Sequence, residues 1–139
     1  MKILVDTSIW SLALRRQSQK GRPEKSTGSL QKLIEEGRAF LIGPIRQEIL
    51  SGVSTEIQFL KLKNHLKAFP NIEITDSDYE KAAQYFNICQ SKGIQGSHTG
   101  FLICAIANTQ KMKIFTADKD FTHYSKHLPI KLYEIESDR

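Results

Sequence analysis

MKILVDTS, residues 1–8, is the stretch that decides the fold of this chain. Its apolar run from Ile3 to Val5 is unbroken, which is typical of a strand buried on both faces of a parallel sheet between helices. The run stops at Asp6, and a carboxylate at the end of a buried strand costs free energy unless something pairs with it. The carboxyl end of such a strand is where open α/β sheets bind ligands. Asp6 is therefore either a helix cap or part of a functional site, and Thr7 or Ser8 can cap the helix that follows.

The composition is that of a soluble globular protein with a single domain. The chain has 139 residues, of which 40% are apolar and 25% charged, which is enough for one core and too little for two. No apolar run reaches the length of a membrane span, and the N-terminal strand does not resemble a signal peptide, so we expect no membrane partner. The net charge of +5 suits a polyanionic partner.

Cysteine usage predicts the redox state and the compartment. The two cysteines, Cys89 and Cys104, lie in apolar helical patterns. This favours buried free thiols over a disulfide or a metal site, and we therefore expect a cytoplasmic location.

Strands and helices alternate along the chain, which predicts an α/β fold with a parallel sheet of about five strands and helices on both faces. Later strands are expected at 39–42, 71–75, 113–116 and 130–133. Helices are expected at 9–16, from about residue 26 to 37, at 43–52, at 55–68, from a cap at Asp76 to at least Cys89, at 99–109 and over a short segment to 127. In the helix that Asp76 is expected to cap, Tyr79 is an expected core residue. The expected domain covers residues 1–133, and 134–139 form a polar tail.

Acidic residues stand near the ends of three of these elements. Asp6 follows the first strand, Asp118 and Asp120 follow the fourth, and Glu48 lies about one helical turn past the second. Right-handed crossovers place the ends of parallel strands at one edge of the sheet, so these carboxylates can meet there.

Clustered carboxylates repel one another unless a cation holds them, and hard oxygen ligands suit Mg²⁺ or Mn²⁺. An acidic pocket in a basic protein thus fits a metal-dependent nuclease, because the surface attracts the phosphate backbone and the pocket holds the metal. The spacing leaves one alternative to a shared metal site open: the four acids are unrelated surface residues and helix caps.

Four motifs occur in the order ILVDTSIW, GPIRQEILSG, GSHTGFLICAIA and FTADKDF. In these motifs the chain resembles the PIN-domain ribonucleases, and within them the VapC-type toxins of bacterial toxin–antitoxin pairs. The resemblance covers nearly the whole chain. It implies a parallel sheet with helices around it, dependence on Mg²⁺ or Mn²⁺, endonucleolytic cleavage of RNA and a cognate antitoxin. A homodimer is also expected.

The resemblance also implies roles for particular residues. Asp6 and Glu48 match the first two acids of the family, Asp118 matches the fourth, and Asp120 matches a further acid often found beside it. Asp6 and Asp118 are the expected metal ligands. Thr116 matches a hydroxyl position near the metal, and Thr7 is expected to support the site.

One position departs from the family pattern. The family has an Asp two residues before the Leu-Ile pair that opens its apolar helix, and here that position is Gly100. Glycine inside a helix costs about 1 kcal/mol relative to alanine, and nothing in the local sequence requires it. We therefore expect a nuclease site in which one ligand position, residue 100, carries no carboxylate. A PIN scaffold that binds antitoxin or RNA without cutting is the alternative.

A polar, basic stretch at residues 17–25 reads as an exposed loop. Basic side chains in and around it are candidates for contact with RNA, although such a run is more often simply solvated. These candidates are Arg15, Arg16, Arg22 and Lys25.

Overall fold

The computed structural model describes residues 1–17 and 25–135. Its sheet consists of β1 (Ile3–Val5), β2 (Ala39–Phe40) and β3 (Lys113–Phe115), paired in parallel in the order β2–β1–β3. Ile3 pairs with Ala39 on one side and with Lys113 on the other. All three residues of β1 are fully buried, as the unbroken apolar run predicts. The predicted parallel sheet is confirmed, with β1 at its centre.

The strand count is lower than expected, because both sheet edges are very short. The segment expected as a strand at 71–75 makes one parallel bridge, from Asn71 to Leu41, and the segment at 130–133 makes one from Leu132 to Ile114. Pro70 and Pro129 precede these two segments, and proline has no N–H to donate to a ladder. The described chain thus has three strands in its sheet, extended by a single bridge at each edge.

Helices fill the rest of the described chain, and none of them is long and apolar enough to span a membrane. Helix α6 packs along α5 and contacts β3, whereas α1 contacts both α2 and α3, and α3 contacts α4. The helices within the described residues are α1 (Thr7–Gln17), α2 (Lys25–Glu35), α3 (Gly43–Leu50), α4 (Glu56–Leu66), α5 (Asp76–Ser91), α6 (His98–Gln110) and α7 (Asp120–Ser125).

Helix α6 is the centre of the core. Every residue from Gly100 to Ala107 is buried, so the helix is covered on all sides. The Cys104 thiol is in this run, and the Cys89 thiol is on the neighbouring α5. Both cysteines are free and buried, which confirms that expectation, and burial raises the pKa of both thiols.

Helix starts differ from the prediction in two places. Helix α5 is capped by Thr75, not Asp76: the Thr75 hydroxyl accepts the N–H of Asp78, and the Asp78 carboxylate accepts the N–H of Thr75. Helix α1 begins at Thr7, so the two hydroxyl residues expected as its cap, Thr7 and Ser8, lie inside it. Tyr79 is 53% exposed and does not belong to the core.

Candidate active site

A pocket of about 190 Å³ lies at the carboxyl edge of the sheet, where the chain leaves β1. Four of the predicted positions line it: Asp6 at the end of β1, Glu48 on α3, Gly100 on α6 and Asp118 after β3. Thr7 lines it as well, and its hydroxyl donates to Glu48 Oε2 over 3.0 Å. Residues far apart in the chain thus meet at the edge that the strand order predicts.

Asp6 is the most buried acid of the site, with 8% of its surface exposed. Its Oδ2 atom accepts two hydrogen bonds, from Ser8 Oγ at 2.7 Å and from Thr116 Oγ1 at 2.8 Å. Two short hydroxyl contacts fix the orientation of the carboxylate and satisfy one of its oxygens. Oδ1 accepts no hydrogen bond from the described residues and is available to a ligand.

The same two hydroxyls hold the loop after β3. Ser8 Oγ accepts the N–H of Ala117 over 2.9 Å, and Thr116 Oγ1 accepts the N–H of Asp118 over 3.0 Å. Each hydroxyl therefore donates to Asp6 and accepts from this loop. From the sequence, Ser8 is expected only as a possible cap; its position two residues after an acid at a strand end is the signal for its role at Asp6.

Asp120 differs from the other predicted acids, because it is absent from the pocket lining. It is the first residue of α7, and its backbone N–H donates to Asp118 Oδ1 over 2.9 Å. Asp120 thus holds the Asp118 carboxylate through its main chain.

Gly100 forms the wall of the pocket at the start of α6. Its N–H donates over 2.9 Å to Oγ of Ser97, the residue that caps the helix. A Cβ at Gly100 would lie 3.0 Å from Ser97 Oγ and 3.6 Å from the nearest ring atom of Tyr124. A side chain therefore fits once the serine hydroxyl moves by a few tenths of an ångström, and the backbone does not require glycine here.

Gly96, four residues earlier, is different. A Cβ there would lie 2.7 Å from Cζ of Tyr124 and 2.8 Å from Cε2 of Phe101. Both are ring atoms of fully buried side chains and cannot give way. The close approach of two aromatic rings thus requires glycine at position 96.

Tyr124 packs behind the pocket, with 2% of its surface exposed. Burial raises its pKa to about 12, and the carboxylates of Asp120 and Asp118 contribute to the same shift. The phenol therefore stays neutral at physiological pH.

The donors around the pocket fit a hydrated Mg²⁺ or Mn²⁺ ion better than an ion enclosed by protein ligands. Within residues 1–17 and 25–135, no three acidic, histidine or cysteine side chains are close enough to hold one ion together. Mg²⁺ usually keeps several waters and is bound by one or two carboxylates together with substrate phosphate. Asp6, with Oδ1 unengaged, and Asp118 supply such a pair, and Gly100 adds no further charge.

The basic residues proposed to contact RNA are described only in part. Lys25 is exposed at the start of α2. Arg22 lies outside the described residues, as do the side chains of Arg15 and Arg16 on α1.

Comparison with known proteins identifies the family. The family model of the PIN domain matches residues 3–127. The fold is similar to that in the crystal structure of FitAcB from Neisseria gonorrhoeae, at 17% identity over 95% of this chain and 96% of that one, with a TM-score of 0.73. It is also similar to VapBC2 from Rickettsia felis bound to a DNA fragment from their promoter (18% identity, 96% and 98% covered, TM-score 0.72). A toxin–antitoxin complex from Klebsiella pneumoniae is a third similar structure, at 18% identity over 86% of this chain and 90% of that one, with a TM-score of 0.64. No curated protein sequence matches the chain.

Proposed function

This chain belongs to the PIN-domain family, and on that basis we propose that it is a metal-dependent endoribonuclease toxin of a toxin–antitoxin pair. PIN domains are in general nucleases that use divalent metal ions. The observation that carries the proposal is the meeting of Asp6, Glu48, Asp118 and Gly100 around one pocket. The metal is Mg²⁺ or Mn²⁺, the substrate is RNA, and the chain as written is weakened by glycine at position 100.

Asp6 and Asp118 would hold the metal. When bound, the ion supplies an activated water and charge stabilisation at the phosphodiester. The hydroxyls of Ser8 and Thr116 keep the Asp6 carboxylate in one orientation, so it needs little reorganisation during the reaction.

Glu48 is exposed at the pocket and is held by the Thr7 hydroxyl. This arrangement suits a residue that accepts a proton from an attacking water. The first turn of α6 contributes Ser97 and Thr99 to the lining, and the N-terminus of a helix favours a phosphate group. Substrate binding and proton transfer are thus assigned to different walls of the pocket.

Gly100 weakens this site because it replaces a charged oxygen donor by a hydrogen atom. The loss removes one negative charge from the lining that Gly100 shares with Asp6 and Asp118. Removing a supporting group at a metal site typically lowers metal affinity or activity by about 10- to 100-fold, and losing a ligand can cost more.

The proposed partners follow from the relatives. Two of the similar structures are described as a toxin–antitoxin complex and as VapBC2 bound to promoter DNA, and we extend the antitoxin partner to this chain. An antitoxin arginine or lysine is the natural partner for the acids of the pocket. A homodimer and a cytoplasmic location are part of the same proposal.

The test is cleavage of total RNA by the purified chain in Mg²⁺ or Mn²⁺, with the RNA ends mapped. We expect Gly100→Asp to cut RNA at least tenfold faster than the chain as written. Gly100→Ala, which adds a Cβ without a carboxylate, is the matched control and should not gain activity. Asp6→Ala should abolish cleavage in either background. Cleavage that survives Asp6→Ala would refute the assignment of the pocket.

A binding module without nuclease activity is the second candidate, favoured by glycine at position 100, where the family has Asp. In that case Gly100→Asp would still not cut RNA, although the chain would bind RNA or the antitoxin. If Gly100→Asp cuts RNA and the chain with Gly100 does not, the loss of nuclease activity is due to this single position.

A further inference from the structure

A second pocket, of about 340 Å³, lies where α5 ends. Phe86 and Gln90 of α5 form one wall, and the turn that follows forms the other with Gly93, Ile94, Gln95 and Gly96. Its volume falls at the lower end of the range of small-ligand sites, about 300–1,000 Å³. None of the residues that line it carries a charge, so it suits a neutral, partly aromatic group.

This pocket adjoins the acidic one across a single loop. Gly96 lines the second pocket and the next residue, Ser97, lines the acidic pocket. Consecutive Cα atoms are about 3.8 Å apart, so the linings of the two pockets meet at this point of the chain. A linear polymer that crosses the loop can occupy both.

We propose that the second pocket binds an unpaired nucleobase of the RNA whose phosphate enters the acidic pocket; this inference rests on the proposed function. Proteins that read single-stranded RNA stack the bases on aromatic side chains and hydrogen-bond their edges. Phe86 is half-buried in the wall, and because the His98 ring already stacks on one face of its ring, a base would contact the remaining face. Gln90 and Gln95 are exposed and supply two amides, each of which can donate and accept.

The chemistry of the amides selects among the bases. Glutamine matches the N6 donor and N7 acceptor of adenine, whereas the two acceptors of guanine, O6 and N7, favour arginine or lysine. Because the lining has no cation, the pocket suits adenine better than guanine.

The loop between the pockets is held in place by its glycines and by aromatic packing. Gly93 has a φ of +75°, a conformation that other residues rarely adopt. Gly96 lies directly against the rings of Tyr124 and Phe101. The exposed His98 ring stacks on Phe86 with their centroids 5.2 Å apart, so the aromatic wall is also fixed from the α6 side. The pocket is therefore preformed.

The experiment measures binding, so it does not depend on cleavage. Fluorescence anisotropy of short, labelled uridine oligonucleotides carrying a single adenine, guanine or cytosine is measured with the chain as written, without metal. We expect the adenine-containing oligonucleotide to bind about tenfold more tightly than the guanine-containing one. Gln90→Ala combined with Gln95→Ala should remove this preference. Gln84→Ala, an exposed glutamine on α5 outside the pocket, should keep it.

Equal affinity for all oligonucleotides, or a preference unchanged in the double glutamine variant, would overturn the inference. An equal loss of the adenine preference in Gln84→Ala would also overturn it, because the preference would then not depend on the residues that line the pocket. The proposed function fails separately: Asp6-dependent cleavage without base preference refutes only the nucleobase pocket. A glutamine-dependent adenine preference in a chain that never cuts RNA supports the pocket and refutes the nuclease.

Free adenosine provides a second measurement. Saturation transfer from protein to adenosine in NMR should be observed with the chain as written and lost in the double glutamine variant. Transfer of equal strength in both proteins would contradict the assignment.

Discussion

Thr116 donates its hydroxyl hydrogen to Asp6 Oδ2 over 2.8 Å, so the end of β3 orients the carboxylate at the end of β1. The same oxygen of Thr116 accepts the backbone N–H of Asp118. One hydroxyl thus connects the two acids proposed as metal ligands. A change at Thr116 should affect both of them.

We expect Thr116→Val to weaken metal binding without changing the fold. The substitution keeps the shape of the side chain, but it leaves Asp6 Oδ2 with Ser8 alone and leaves the N–H of Asp118 unpaired. Loss of such supporting hydrogen bonds lowers metal affinity by about 10- to 100-fold, which calorimetric titration with Mn²⁺ in the Gly100→Asp background would measure. Thr122→Val, at an exposed threonine of α7, is the matched control. Equal Mn²⁺ affinity in all three proteins would show that the hydroxyl does not support the site.

Gly100→Ala should stabilise the protein while leaving its RNA cleavage unchanged. Alanine is better than glycine inside a helix by about 1 kcal/mol, and the added methyl group contacts the buried Tyr124 ring. The 3.0 Å approach to Ser97 Oγ offsets part of this gain. Thermal unfolding should show a rise in Tm of about 2–6 °C. A fall in Tm would mean that the capping hydroxyl cannot move and that glycine is required here.

Tyr124 should make stability depend on pH above 10. Burial raises its pKa in the folded state from 10.0 to about 12, so the unfolded chain ionises first. This contribution to stability is complete below pH 10 and is lost progressively between pH 10 and 12, by at most about 1.4 kcal/mol per pH unit. Denaturant unfolding at several pH values should therefore show a shallower decline for Tyr124→Phe than for the chain as written. Tyr79→Phe, at an exposed tyrosine, should decline like the chain as written. Identical profiles for all three proteins would contradict the assignment.

The exposed apolar side chains of α4 should contact the antitoxin. Ile57 is 81% exposed and Leu60 is 49% exposed, three residues apart on one face of the helix. Large apolar side chains exposed together mark interaction sites more often than isolated ones do. Ile57→Asp combined with Leu60→Asp should reduce the amount of antitoxin, the product of the adjacent reading frame, that co-purifies with the chain by at least tenfold. Ile88→Asp, at an isoleucine of α5 that is 41% exposed, is the control and should retain the antitoxin. Full retention by the double variant would exclude this face.

The sequence predicts the parallel sheet and the central helix well, because their signals are local. An unbroken apolar run such as Ile3 to Val5 and a helix with no polar face have few other stable solutions. The edges are harder to predict. Ile72 and Ile74 alternate with polar residues as in a strand, yet only one bridge forms, because pairing at an edge depends on how far the neighbouring strand extends. Tyr79 has core spacing in its helix, yet 53% of its surface is exposed, because spacing does not show which side of a helix the rest of the chain covers.

The candidate site was predictable where acids follow strands and not where its geometry comes from tertiary packing. Asp6, Glu48 and Asp118 line the pocket because topology brings the strand ends together. The role of Ser8 is not predictable from the sequence, because it depends on Thr116 and Ala117, more than a hundred positions away in the chain. The requirement for glycine at position 96 is not predictable either, since only the packed structure shows the two rings against its Cα. Proximity in sequence groups Asp120 with the other acids, whereas the turn into α7 leaves it out of the pocket lining.

The two buried thiols also make the protein convenient to label. Thiol reagents attack the thiolate, and burial keeps Cys89 and Cys104 protonated and covered in the folded chain. A cysteine introduced on the surface, for example at Lys25, would then be the reactive one without removal of either native thiol. A fluorophore at that position would report on RNA or antitoxin approaching the start of α2. Slow reaction of the two native thiols under native conditions would in turn provide a chemical measure of how often the core opens.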